Sequence, residues 1–233
     1  MLEARDLAAS RGDNTLFSNL GFTLAPGALL RVTGANGSGK TSLLRALCGL
    51  LLPAAGEVRW NGENIRSLRE EYWKRLAYVG HADALKADLT VLENLVFACA
   101  LAGLDIPVIR ARAALESFGL ASREQLPARA LSQGQRRRAA LARLAVSETQ
   151  PLWILDEPFA ALDVQAVERV QTLAGEHLAR GGMVVLTTHQ EARIEAPSAT
   201  DISLDRPSLI PSPSPQGEGE SRAAPLPSGE GRG

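Results

Sequence analysis

The period of apolar and polar positions changes several times along the chain, and each change marks an element. Residues 1–33 alternate short apolar runs with turn residues at Arg11-Gly12-Asp13-Asn14 and Ala25-Pro26-Gly27. This predicts two or three strands. The mostly apolar run Leu29–Thr33 ends in the glycine-rich stretch Gly34–Gly39, and Ser42–Leu47 then reads as a helix. Pro53-Ala54-Ala55-Gly56 turns the chain, Glu57–Gly62 predicts a strand entering a tight turn, and Leu76–Gly80 predicts a short strand stopping at His81.

Helical signals dominate residues 85–147. Thr90-Val91-Leu92-Glu93 has the capping-box pattern and opens a helix to about Ala102, where Gly103 breaks it. Pro107 belongs in the first turn of another helix, which stops at Gly119. Ser132-Gln133-Gly134-Gln135 is a second capping box and starts a third. Three successive helices interrupt the strand–helix alternation, so an inserted helical subdomain is expected. Leu152–Leu155 and Met183–Thr187 are continuous apolar runs of the kind buried on both faces of a parallel sheet. Between them Val167, Val170, Ala174 and Leu178 repeat at helical spacing. The fold class expected is α/β. From Pro207 onward 16 of 27 residues are Pro, Gly or Ser, so the organisation reads as one unit over 1–205 and a disordered tail over 206–233.

Composition narrows this picture. A length of 233 residues with 45% apolar content suits one large domain with a subdomain. The net charge of −1 offers no electrostatic basis for nucleic-acid binding. Cys48 and Cys99 lie in apolar helical contexts and read as small core residues, in keeping with a reducing cytoplasm. Met1–Asp6 lacks a signal pattern. The longest uncharged apolar stretch, Leu95–Leu104, falls well short of the ~20 residues that span a bilayer. A soluble chain is expected, which leaves a membrane partner open.

The candidate chemistry begins at Gly34-Ala35-Asn36-Gly37-Ser38-Gly39-Lys40-Thr41, between strand and helix. Glycines let consecutive amides turn inward around an anion, and the helix adds the positive end of its dipole. Lys40 supplies a compact charge for the β- and γ-phosphates, and the Thr41 hydroxyl a ligand for Mg²⁺, with Ser42 beside it. Lysine is otherwise rare here: only Lys74 and Lys86 accompany Lys40 among 25 basic residues. Leu155-Asp156-Glu157-Pro158 closes the first buried strand, where Asp156 suits the metal and Glu157 the attacking water. An ordinary Asp-Glu-Pro turn is the alternative when the motif is taken alone. Leu131-Ser132-Gln133-Gly134-Gln135 is a second anion-competent helix start, or a plain capping box. Arg136-Arg137-Arg138 reads as a solvated or phosphate-facing surface, and His177 as a surface residue.

Together these pieces resemble the ATP-binding-cassette family over roughly residues 1–205. Gly34–Thr41 corresponds to Walker A, Leu131–Gln135 to the signature, Leu152–Glu157 to Walker B, Ala161-Leu162-Asp163 to the D-loop and His189 to the switch histidine. The resemblance implies a P-loop NTPase with a RecA-like parallel sheet, an antiparallel N-terminal sheet and the helical insert. It also implies two copies packed head to tail, with ATP between the phosphate loop of one and Ser132 of the other. Glu157, His189 and Lys40 would be catalytic, Asp163 would communicate across the dimer, and Thr41 and Asp156 would serve Mg²⁺.

Three positions depart from the family pattern. Gln133 replaces the commoner signature glycine, while Ser132 and Gly134, which carry the contact, are kept. No aromatic stands near Arg11 to stack on adenine, so Arg11 either takes that place or is a solvated turn arginine. His81 replaces the glutamine of the Q-loop, which in the family senses the γ-phosphate and contacts the membrane partner. The stretches around Gly80-His81, Trp153–Phe159 and Gly182–Gln190 are similar to the haem-exporter ATPases of cytochrome c maturation, the CcmA type. That resemblance implies integral-membrane permease partners at the cytoplasmic face of a bacterial inner membrane. An exporter ATPase for lipid, drug or polysaccharide, and a soluble cassette ATPase working on nucleic acid or ribosomes, are the alternatives. The second normally needs paired cassettes, a long coiled coil or basic arms, which this chain lacks.

Overall fold

The computed structural model describes residues 1–188 and 193–205. His189 and the stretch 206–233, on which a switch histidine and a disordered tail are expected, lie outside the described residues.

Strand β1 (Leu2–Arg11) turns at Gly12-Asp13 into β2 (Asn14–Leu24), and β3 (Ala28–Thr33) leads into the glycine-rich loop and helix α1 (Lys40–Leu47). Next come β4 (Ala55–Trp60), β5 (Glu63–Asn64), the short helices α2 (Ile65–Leu68) and α3 (Glu70–Trp73), and β6 (Leu76–Val79). Helices α4 (Val91–Leu101), α5 (Val108–Ser117) and α6 (Gln133–Leu141) follow in succession. The chain then returns to β7 (Leu152–Asp156), α7 (Val164–Ala179), β8 (Met183–Thr187) and β9 (Ser198–Ser203). Both capping boxes form as the sequence predicts, Thr90 with Glu93 and Ser132 with Gln135. Pro107 stands at the cap of α5, one residue ahead of its first turn.

Two sheets result. The first is antiparallel in the order β2-β1-β4-β5 and the second wholly parallel in the order β6-β7-β8-β3-β9. Side chains of a strand alternate between faces, and here both faces are covered. Trp153 and Leu155 of β7, with Val184 and Leu186 of β8, pack into one core with α4–α7. Leu152, Ile154, Met183 and Val185 pack into the other, with α1 and the antiparallel sheet. Double coverage explains the continuous apolar runs. Each such side chain contributes about 1.5–3 kcal/mol by leaving water.

Cys48 and Cys99 are buried and free, as their contexts predict. Two sequence readings are corrected. His177 is not a surface residue: it is 2% exposed and stacks on Trp153 with ring centroids 4.0 Å apart. Of the three arginines after the signature, Arg137 is buried at 4% exposure, because α6 turns that position toward the carboxyl end of β7.

Candidate functional site

Parallel strands end together, and ligands of such sheets sit in the crevice beyond their carboxyl ends. β8 lies between β3 and β7, and its Thr187 is in register with Val32 on one side and Asp156 on the other. The glycine-rich loop continues from β3, so Thr41, Thr187 and Asp156 converge at one edge. Thr41 Oγ1 donates to Asp156 Oδ2 at 2.9 Å, and Thr187 Oγ1 donates to Asp156 Oδ1 at 2.8 Å. Thr187 Oγ1 also accepts the Glu157 amide at 2.8 Å. Both oxygens of a carboxylate 2% exposed are thereby satisfied and aimed.

The loop itself is shaped for an anion. Gly34 and Gly39 have φ of +144° and +103°, and a Cβ on Gly34 would lie 2.6 Å from Ser38 Oγ. Gly39 caps α1 without a side chain, so the first-turn amides keep their donors. Lys40 Nζ donates to Gly34 O at 2.6 Å and Ala35 O at 3.0 Å, which holds the ammonium across the loop. Asn36 and Gly37 face solvent at the rim, and Ser42 is half-buried in the first helical turn. The rim is fastened from afar: the Ala35 amide donates to Asp205 Oδ1 at 2.6 Å, just beyond β9.

Thr41 and Asp156 fit a Mg²⁺ ion of the kind that keeps waters and takes substrate phosphates. No group of three or more His, Cys, Asp or Glu that could cage a metal occurs among the described residues. Glu157 follows Asp156 with φ of +48°. For a residue with a Cβ this left-handed conformation costs about 1–2 kcal/mol.

The remaining expected residues occupy separate places. Ser132 and Gln135 bond to each other, Ser132 N to Gln135 Oε1 at 2.9 Å and Gln135 N to Ser132 Oγ at 3.3 Å, on an exposed helix start. Gly134 passes so close to the loop after β7 that a Cβ would lie 2.9 Å from Ala161 O. Asp163 caps α7 through Ala166 N at 2.9 Å. His81 is exposed just past β6, and Arg11 is exposed at the end of β1.

Sequence reasoning missed three residues of this site. Thr187 was legible only as the end of an apolar strand. Asp205 stands outside every motif. Arg137 was read as surface, yet its guanidinium donates to the carbonyls of Gly80, Asp156 and Glu157, each at 2.8 Å, and reaches Asp83 Oδ1 at 3.4 Å.

Comparison with known proteins supplies the family and the fold's relatives. The family described as ABC transporter matches residues 17–160. The cytochrome c biogenesis ATP-binding export protein CcmA of Nitrosomonas europaea is 58% identical over 191 residues, 82% of this chain and 89% of that protein. Its namesake from Pseudomonas aeruginosa is 50% identical over 195 residues, 84% of this chain and 96% of that one. Among solved structures, an ATP-binding subunit of an ABC transporter superposes with a TM-score of 0.74 at 28% identity, covering 81% of this chain and 79% of that chain. A dimeric ATP-binding cassette bound to ADP and Pi, at 24% identity and TM-score 0.72, shares the fold over 82% of this chain and 88% of its own. The chain therefore belongs to the ABC transporter family of nucleotide-binding ATPases, in its branch of cytochrome c biogenesis ATP-binding export proteins.

Proposed function

We propose that this chain is the energy-coupling ATPase of a membrane complex that delivers or exports haem for cytochrome c maturation. Residues 1–205 form its nucleotide-binding unit, with the helices of 85–147 as an inserted subdomain. The unit lies on the cytoplasmic face of the bacterial inner membrane and docks on integral-membrane permease subunits through the loop of His81. No helix among the described residues is long and apolar enough to cross a membrane, which accords with a peripheral attachment.

The observation that carries this reading is the hydrogen-bonded chain Thr41–Asp156–Thr187–Glu157 beneath the phosphate loop. Lys40 and the amides of residues 34–41 bind the phosphates. Thr41 and Asp156 would hold Mg²⁺, which when bound would supply charge neutralisation to the phosphates. Glu157 orients the attacking water and accepts its proton. In a head-to-tail dimer, Ser132, Gly134 and Gln135 of a second copy complete the γ-phosphate site. Asp163 and His189 belong to the same closed state, and Arg11 stands at the adenine end.

Glu157→Gln keeps the size of the side chain and removes the base. Phosphate release by the purified variant is expected to fall at least 100-fold, while ATP still drives a dimer visible by size-exclusion chromatography. Turnover at the wild-type rate would remove Glu157 from this role. In a strain lacking its own cytochrome c maturation ATPase, the wild-type chain is expected to restore covalently haem-stained cytochromes and the variant is not. A wild-type chain that fails there would reject the haem branch alone.

A further inference from the structure

We propose that Arg137 is a positioning residue for hydrolysis, which fixes the Glu157 peptide and the His81 loop in one register with the signature helix. The inference deepens the functional reading above and rests on Glu157 as the group that orients water.

Arg137 lies on α6, two residues past Gln135, and is 4% exposed. The two terminal nitrogens of a guanidinium carry four N–H groups in one plane. Here all four find acceptors on two different segments. One nitrogen takes Gly80 O at 2.8 Å and Asp83 Oδ1 at 3.4 Å, on either side of His81. The other takes Asp156 O and Glu157 O, both at 2.8 Å. Its Nε–H is buried without a hydrogen-bond partner among the described residues, so the bonds of the two terminal nitrogens are what hold the charge in place, since losing them would be strongly unfavourable.

The position of these bonds gives them a role in the reaction. Glu157 is held in the left-handed region, a conformation that persists only where its surroundings enforce it. Thr187 grips its amide and Arg137 grips its carbonyl. With both ends of the residue fixed, the direction in which its side chain leaves the backbone is set before the water arrives. The same guanidinium ties the residue before His81 to that peptide. A shift of α6 or of the His81 loop is therefore transmitted to the base through one planar group. A lysine at this position would place its donors at one point and could not span both segments.

Arg137→Lys keeps the buried charge and tests the span. We expect a folded protein that binds a fluorescent ATP analogue within twofold of wild type and hydrolyses ATP at least tenfold more slowly. On a Glu157→Gln background, Arg137→Lys should leave the ATP-trapped dimer unchanged, because its effect runs through the base. Wild-type turnover, a loss of nucleotide affinity that matches the loss of rate, or a lost trapped dimer would each overturn the proposal. Should the lysine variant not fold, Arg137→Gln is measured in the same way, and failure of both to fold makes the residue structural and rejects the proposal. Glu157→Gln alone with full turnover would instead strike the reading of Glu157, so the two failures are separable.

Discussion

A single hydroxyl, that of Thr187, sits at the centre of the site. It donates to Asp156 and accepts the amide of Glu157 while fully buried. Thr187→Val preserves shape and removes both bonds, taking one buried acceptor from the Glu157 amide and one donor from the Asp156 carboxylate. A stability loss of about 2–4 kcal/mol is expected in denaturant unfolding, together with slower phosphate release. An unchanged unfolding midpoint would show that the hydroxyl does not hold the pair. The phosphate loop was readable in the sequence because its chemistry is local: glycines, lysine and threonine act within eight consecutive positions. Thr187, Arg137 and Asp205 act on segments 19 to 170 residues away. A β-branched strand end, a run of arginines and a lone acidic residue carry no sign of such distant partners.

Between elements, the contact of β7 with α7 has its own consequence. His177 stacks on Trp153 at an interplanar angle of 8°. Burial pushes its imidazole down to about 4, with Arg180 nearby acting in the same direction. The unfolded chain takes up this proton near pH 6.5 and the folded chain only near 4. The resulting stability, on the order of 3 kcal/mol, is complete above pH 6.5 and is lost as the pH falls toward 4. His177→Phe keeps a stacked ring and removes the titration. Its stability relative to wild type should therefore rise steadily from pH 7 to pH 4.5, read by urea unfolding, and a constant difference would refute the link. The helical spacing of Val167, Val170, Ala174 and Leu178 makes α7 legible, but the Glu176 neighbour masks His177 as a surface residue. Strand β9 escaped notice for a related reason. Only Ile202 of its six residues is buried, so no alternation marks it, and its pairing with β3 is supplied by the sheet edge.

At the scale of the whole molecule, the phosphate loop and the signature helix play unequal parts within one chain. The loop is assembled by three adjacent strands, whereas Ser132 lies exposed at a helix start and exchanges two hydrogen bonds with Gln135. A second copy is the partner the proposed reaction requires there. Ser132→Ala removes one hydrogen bond to a charged phosphate, about 1.5–3 kcal/mol. ATP-dependent dimerisation, followed by analytical ultracentrifugation, should weaken by roughly 10- to 150-fold for each of the two symmetric sites, the two factors multiplying. Nucleotide binding by the monomer should not change. Equal dimerisation in the variant would place the second half of the site elsewhere.

The bond from Ala35 to Asp205 joins residues 170 positions apart. In mechanical terms β9 is a belt laid along the sheet, with its buckle on the lip of the nucleotide pocket. That buckle is also the junction with residues 206–233. A load applied to this extension, by a bound partner or by a surface to which it is fixed, reaches the pocket lip before it reaches either core.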